Sequence, residues 1–216
     1  DTKKRNALVK YSTEIGDVRA QVIATAYTNS WSSTDQIPQR EVDEGRMSRF
    51  GYIDPSIGGE TSRFSVVGKL SNENLSASLY AVHYELNLFS NPTYFQEDPL
   101  EGDQIEQEDK RQIYGGAISY QNELSLYGYR VIPNIGVEFR YDDIGETNLY
   151  KTKLRQRSHA LIDDSVRELS LSAFAEAEIY LSDKLRTKVG LRADYYDWDV
   201  TAKVAQDTDN SGTGND

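Results

Sequence analysis

Strict alternation of apolar and polar side chains is the dominant pattern of this chain, and the run from Glu168 to Leu181 is its clearest case. Leu169, Leu171, Ala173, Ala175, Ala177, Ile179 and Leu181 fall on one face, while Glu168, Ser170, Ser172, Phe174, Glu176, Glu178 and Tyr180 fall on the other. A period of two belongs to a strand and not to a helix. After Ser182-Asp183-Lys184 the pattern resumes, with Leu185, Thr187, Val189, Leu191, Ala193 and Tyr195 on one face and Arg186, Lys188, Arg192 and Asp194 opposite. A short turn between two such runs predicts a hairpin.

The same unit recurs upstream. Asn6 to Glu14 turns at Gly16-Asp17 into the run Val18, Ala20, Val22, Ala24, Ala26. Phe64, Val66, Gly68 and Leu70 turn at Ser71 to Asn74 into Leu75, Ala77, Leu79 and Ala81. A weaker strand around Arg111 to Gln121 turns at Asn122 to Leu126 into Val131, Ile135, Val137 and Phe139. Together these predict about eight strands. Pro133 lies within one of them and requires an edge, a bulge or a place where the ladder bond is forgone.

Connections of two kinds alternate along the chain. The turns above are tight, whereas Trp31 to Glu60, Ser90 to Lys110, Asp142 to Asp164 and the tail from Thr201 read as long, polar and irregular. In an up-and-down meander that sends the tight turns to one end and the long loops to the other, as in outer-membrane barrels. The predicted fold is therefore all-β: antiparallel up-and-down transmembrane β-barrel strands with long external loops. One face is rich in Ala, Val and Leu. The other carries Arg, Glu and Lys between Tyr and Phe, as suits a watery lumen. The rival architectures are a complete eight-stranded outer-membrane barrel and a soluble β-sandwich binding or adhesion module.

Composition narrows the function classes. With 24 Lys and Arg against 35 Asp and Glu, the net charge is −11, which argues against a nucleic-acid partner. No apolar run reaches the ~18 residues of a membrane-spanning helix, but a β-barrel carries no such signal. There is no cysteine, which removes disulfides, thiolate zinc sites and thiol nucleophiles. No nucleophile elbow, phosphate-cradling glycine loop or His-Glu-x-x-His occurs, so neither an enzyme nor a cofactor is expected.

Several segments resemble the TonB-dependent outer-membrane receptors. Arg49-Phe50-Gly51-Tyr52-Ile53-Asp54-Pro55 with Gly58-Gly59 and Arg63, preceded by Asp35-Gln36-Ile37-Pro38-Gln39-Arg40, is similar to an external loop descending into a barrel strand of that family. Arg140-Tyr141-Asp142-Asp143-Ile144 resembles the top of a rising strand. Asp164-Ser165-Val166-Arg167-Glu168-Leu169, Ala173-Phe174-Ala175-Glu176 and Leu191-Arg192-Ala193-Asp194-Tyr195-Tyr196-Asp197 resemble a mid-barrel hairpin. The resemblance implies a Gram-negative outer-membrane location, a barrel of about 22 strands, an N-terminal plug, and a TonB box contacting the energising complex. Neither plug nor TonB box is read in residues 1–216, which are expected to be one segment of the barrel. The resemblance also implies uptake of a scarce solute, with a ferric siderophore-like chelate as the default, and contact with outer-membrane lipid and lipopolysaccharide.

Candidate ligand contacts are Trp31, Arg40, Arg46, Tyr52, Tyr94, Tyr150, Arg155 and Arg157, which join aromatic faces to fixed positive charge in the long loops. His83 and His159, the latter in a predicted loop, have no second His at ligand spacing and are not expected to hold a metal. The acidic stretch Glu97 to Asp109 reads as a solvated loop. Asp207-Thr208-Asp209-Asn210-Ser211-Gly212 matches half of a calcium loop and reads as a flexible turn.

Overall fold

The computed structural model describes residues 1–33, 36–204 and 212–215. It is an antiparallel meander: β1 (Thr2–Ile15), β2 (Val18–Ser32), β3 (Gly58–Ser71), β4 (Leu75–Ser90), β5 (Ile105–Gln121), β6 (Leu124–Leu126), β7 (Tyr129–Lys153), β8 (Gln156–Ser182), β9 (Leu185–Ala202) and β10 (Gly212–Asn215). One short helix, α1 (Gln39–Asp43), lies in the β2–β3 loop. Each strand pairs with the next, in the order β1-β2-β3-β4-β5-β7-β8-β9-β10, while β6 continues the line of β5 against β7. Among the described residues β1 and β10 do not meet, so the sheet is open, as in part of a larger barrel. Among the described residues no second layer packs on it, and they form neither a closed small barrel nor a sandwich.

The register lines up the predicted faces. Val22, Gly68, Leu79, Gly116, Phe139, Leu171 and Tyr195 form one cross-strand row. Ala20, Leu70, Ala77, Ile118, Val137, Ala173 and Ala193 form the row beside it on the same face. These rows stay open to the surroundings: Leu79 is 64% exposed and Val137 51%. Buried apolar residues among those described are Ile57, Val82 and Phe89. The sheet has an apolar face and no hydrophobic core beneath it.

The opposite face is held by ion pairs. Arg192 reaches Glu138 at 2.8 Å and Asp194 at 2.9 Å, Lys188 meets Glu176 at 2.9 Å, and Arg186 meets Glu178 at 3.0 Å. All of these side chains share the face of Ser172 and Phe174, which confirms the alternation from the polar side.

The strands slope relative to their turns. Arg19, Ser71, Ser76, Ser119, Gly136 and Phe174 lie on one row. On β2 the turn is reached one residue below that row, at Val18, and on β8 eight residues below it, at Ser182. That difference is about 23 Å of strand over about 24 Å of sheet, so level turns demand an inclination of roughly 45°. Closed barrels tilt their strands by a similar angle.

Three predicted connections are corrected. The stretch from Asp142 to Asp164 is no loop, because β7 and β8 run through it to a two-residue turn at Leu154-Arg155. Three register shifts, at Ile144/Thr147, Leu149/Tyr150 and Lys151/Thr152, insert extra residues there, and each one breaks the period of two that announces a strand. Likewise β5 starts at Ile105, so the loop before it ends sooner than expected. The turn placed at Asn122 to Leu126 is partly strand β6 and closes at Tyr127-Gly128, both at positive φ. Pro133 accepts the Asn122 N–H through its carbonyl at 3.2 Å, at the break between β5 and β6. Its missing donor thus falls where the ladder is already interrupted. The calcium-like tail lies largely outside the described residues.

Leu154 and Arg155 close their hairpin at φ 49° and 67°, the pattern of a type I′ turn that favours Asn and Gly. A left-handed Leu costs about 1–2 kcal/mol. Replacing Leu154 by Asn is expected to raise the unfolding midpoint in detergent by the equivalent of about 1 kcal/mol. An unchanged or lowered midpoint contradicts the turn geometry.

Candidate functional site

The loop end of the sheet is knit by polar side chains, and Gln104 is their hub. It is 2% exposed. Its Nε2 donates to Asp54 Oδ2 at 2.7 Å and to Ser56 Oγ at 2.6 Å. Its Oε1 accepts from Thr152 Oγ1 at 3.0 Å and from the Arg155 N–H at 2.8 Å. One side chain thereby joins the β2–β3 loop, the β4–β5 loop and the β7–β8 turn. Asn91 adds a bond to Asp54 Oδ2 at 2.9 Å, and Arg155 Nε donates to the Ser56 carbonyl at 2.6 Å. A partly buried network of this kind favours a single arrangement, because breaking its bonds leaves desolvated groups without partners.

Carboxylates in this brace stay ionised. Burial pushes the Asp54 carboxyl up, but donors from Ser56, Asn91 and Gln104 outweigh it and hold the group below its ordinary range. At Asp103 burial again pushes up, and the Glu97 and Asp98 N–H groups, the Thr93 hydroxyl and Lys151 hold it well below. The acidic stretch from Glu97 to Asp109 is accordingly not just a solvated loop. Asp103, Glu106 and Glu108 are buried, and Glu106 to Asp109 belong to β5.

The predicted ligand contacts divide into two groups. Tyr150, Arg155 and Arg157 come together at the brace, with Trp31 beside Arg155 in a surface hollow shared with Phe89 and Glu60. Arg157 holds Glu106 through two bonds of 2.6 and 2.9 Å, reaches Glu108 at 3.1 Å, and stacks 4.0 Å from the centre of the Tyr150 ring. The Arg155 guanidinium lies 4.8 Å from the Phe89 ring centre. Tyr150 and Arg157 are therefore strand residues whose capacity is used internally.

Arg40, Arg46, Tyr52 and Tyr94 are spread over the loops. Arg46 binds Glu41 at 2.7 Å and also pairs with Glu44, while Arg40 meets Glu41 at 3.3 Å. Hydrogen bonding to Arg46, chiefly, holds the Glu41 carboxyl down at about 2 against the opposing effect of burial. Tyr94 donates its hydroxyl to the Gln36 carbonyl. Tyr52 is exposed. His83 lies 3.2 Å from Glu85, and His159 is a β8 residue beside Ser158, not a loop residue. Among the described residues no cluster of three or more His, Asp or Glu is arranged to hold a metal.

Sequence reading missed the hub. Asp54 carried a local signal, since its Oδ1 accepts the Ser56 N–H at 2.8 Å in an Asx turn written as Asp-Pro-Ser. Gln104 carried none, because all its side-chain partners are about 50 residues away in sequence.

Gln104→Ala is expected to open the brace by about 2–4 kcal/mol, the cost of orphaning several buried partners. Limited proteolysis should then cut the β2–β3 loop faster while the sheet persists. Cleavage at the wild-type rate rejects the hub. Both Asp54 and Asp103 have lowered folded pKa values, so their contribution is complete above the unfolded carboxylate value near about 4 and is lost as pH falls through the folded values. Proteolytic protection should hold from pH 7 to about pH 4 and fall below that, and Asp103→Asn should flatten the fall.

No protein-family model matches this chain, and no curated protein matches it.

Proposed function

We propose that this chain forms part of the wall of a Gram-negative outer-membrane β-barrel of the TonB-dependent receptor kind, serving uptake of a scarce solute. The observation that carries the reading is the uncovered apolar band running across all the long strands, backed by a charged face. On β7 the band runs from Val131 through Pro133, Ile135, Val137 and Phe139 to Tyr141, about 33 Å along the strand. Inclined by roughly 45°, it becomes about 23 Å tall, close to the ~25 Å apolar girdle of outer-membrane barrels.

Aromatic residues mark both rims. Tyr114 and Tyr141 share the row at the loop end of the band, and Tyr120 and Tyr129 stand at the turn end. Tyrosine favours that position because its ring is apolar and its hydroxyl is wet. Above the band the same face turns charged, with Gln112, Asp143, Arg167 and Asp199 on one row, as fits contact with lipopolysaccharide headgroups. The long strands and braced loops at that end suit a receptor exterior. A ferric chelate as solute rests on the family resemblance, and the ion pairing of Arg46 and Arg157 leaves those two cations little to offer an anionic ligand.

Ala175 lies in the band between Ile135 and Leu191. Ala175→Arg is expected to impair insertion into lipid by about 2–4 kcal/mol, whereas Ser172→Arg on the opposite face is tolerated. Equal effects at both positions defeat the membrane reading. Sidedness follows from the same layout. Cysteines replacing Phe50 and Leu100, both highly exposed loop residues, should react with an impermeant label on intact cells, and a cysteine at Asp183 in a tight turn should not.

A further inference from the structure

The charged face opposite the apolar band is unevenly paired. On β1 to β4 it carries Lys4, Lys10, Arg19, Arg63 and Lys69, answered by Glu14 alone, and Glu14 is already bound to Arg19 at 3.3 Å. On β7 to β9 the same face carries both signs, and there the cations Arg140, Arg186, Lys188 and Arg192 are each held by a carboxylate. An overall charge of −11 thus conceals a basic quarter of the wall.

Arg63 is the centre of that quarter. Its direct register partners are Tyr27 on β2 and Tyr84 on β4, and opposed side chains of antiparallel strands stand about 5 Å apart. Arg63 is exposed, both tyrosines are half-buried, and among the described residues Arg63 has no carboxylate partner. The Lys4 ammonium lies 5.5 Å from the centre of the Tyr27 ring, bringing a second cation to the same place. The next cation in the row, Arg111, is occupied by Asp109 at 2.8 Å. The register thus sets an exposed arginine without an ion pair between two tyrosines on one face, with an ammonium beside one of them. A guanidinium fork matches a planar oxyanion through two parallel hydrogen bonds, and the flanking rings offer faces to a flat group attached to it.

We propose that Arg63, with Lys4, Tyr27 and Tyr84, forms a binding site on the lumen wall for a small solute that joins a carboxylate to a flat ring. The site lies at strand depth and not in the loops. Calling the face a lumen rests on the membrane-barrel reading above, but the binding itself does not. If the band test at Ala175 fails while the ligand still binds, the barrel reading falls alone; if the band test succeeds and binding is absent, the site falls alone.

The test uses the whole chain in detergent, with benzoate as probe and benzyl alcohol as its uncharged counterpart, followed by calorimetric titration. Strand content by circular dichroism is matched for every variant. Benzoate should bind, weaken as salt rises, and weaken about tenfold in Arg63→Gln. Arg63→Lys keeps the charge without the fork and should fall between the two, so the site remains testable if the glutamine variant folds poorly. Arg186→Gln, on the ion-paired side, should bind like the wild type, and benzyl alcohol should not bind. Absence of benzoate binding, equal losses in Arg63→Gln and Arg186→Gln, or equal binding of benzyl alcohol overturns the site.

Discussion

A sheet one layer thick cannot be held together by a core of its own. Most of the energy that folds a water-soluble domain comes from apolar area withdrawn from water, yet here Leu79, Val137, Leu171 and Leu191 remain uncovered. The ladder satisfies the backbone within the sheet but leaves that apolar area to be covered by something else. A hydrocarbon phase covers such a face along its whole length and tolerates backbone only when its hydrogen bonds are made internally. The meander meets that condition everywhere except at its two outer edges. Those edges, β1 and the β9–β10 side, carry unpaired N–H and C=O groups that need strand partners before they can sit in lipid.

Order at the loop end has a different origin. There the cohesive elements are polar groups of which at least one partner is buried: Gln104 with Asp54, Asn91 with Asp54, and the exposed Arg157 with buried Glu106 and Glu108. In water such bonds would be worth little, since each replaces a bond to solvent. Removed from water, they become obligatory, because an unmatched carboxylate or amide is then expensive. The brace also supports the Leu154-Arg155 turn, whose positive φ angles persist because the Arg155 N–H is fixed on Gln104.

Strand positions were legible in the sequence wherever a strand passes a uniform environment on each face. From Leu169 to Leu181 one face is apolar and the other mostly polar, and the period of two is unbroken. Above that level both faces are polar, and register shifts between β7 and β8 displace the residues by single steps. Alternation then carries no information, and the segment reads as loop although it is paired throughout. The brace was illegible for a related reason. Gln104, Thr152 and Asp54 meet only because three separate connections converge on one end of the sheet, and that convergence is set by topology and not by local pattern. Tyr150 and Arg157, expected as loop contacts for a ligand, instead stand on strands and stack on each other. Their use in packing follows from Glu106 and Glu108, whose burial no local signal announces.

Net charge was the least informative of the sequence quantities, and the register explains why. Acidic residues concentrate at the brace and on the β7–β9 side of the charged face, where arginines and lysines neutralise many of them. What a solute meets is the residual field of a particular wall, and fields of neighbouring walls are screened from one another beyond about 8–10 Å in physiological salt. A strand spacing of about 4.8 Å puts the unpaired Arg63 several strands, and hence more than one screening length, from the acids of β8 and β9. An acidic chain can therefore present a locally basic surface, and the sign that matters for recognition is fixed by which strands are neighbours.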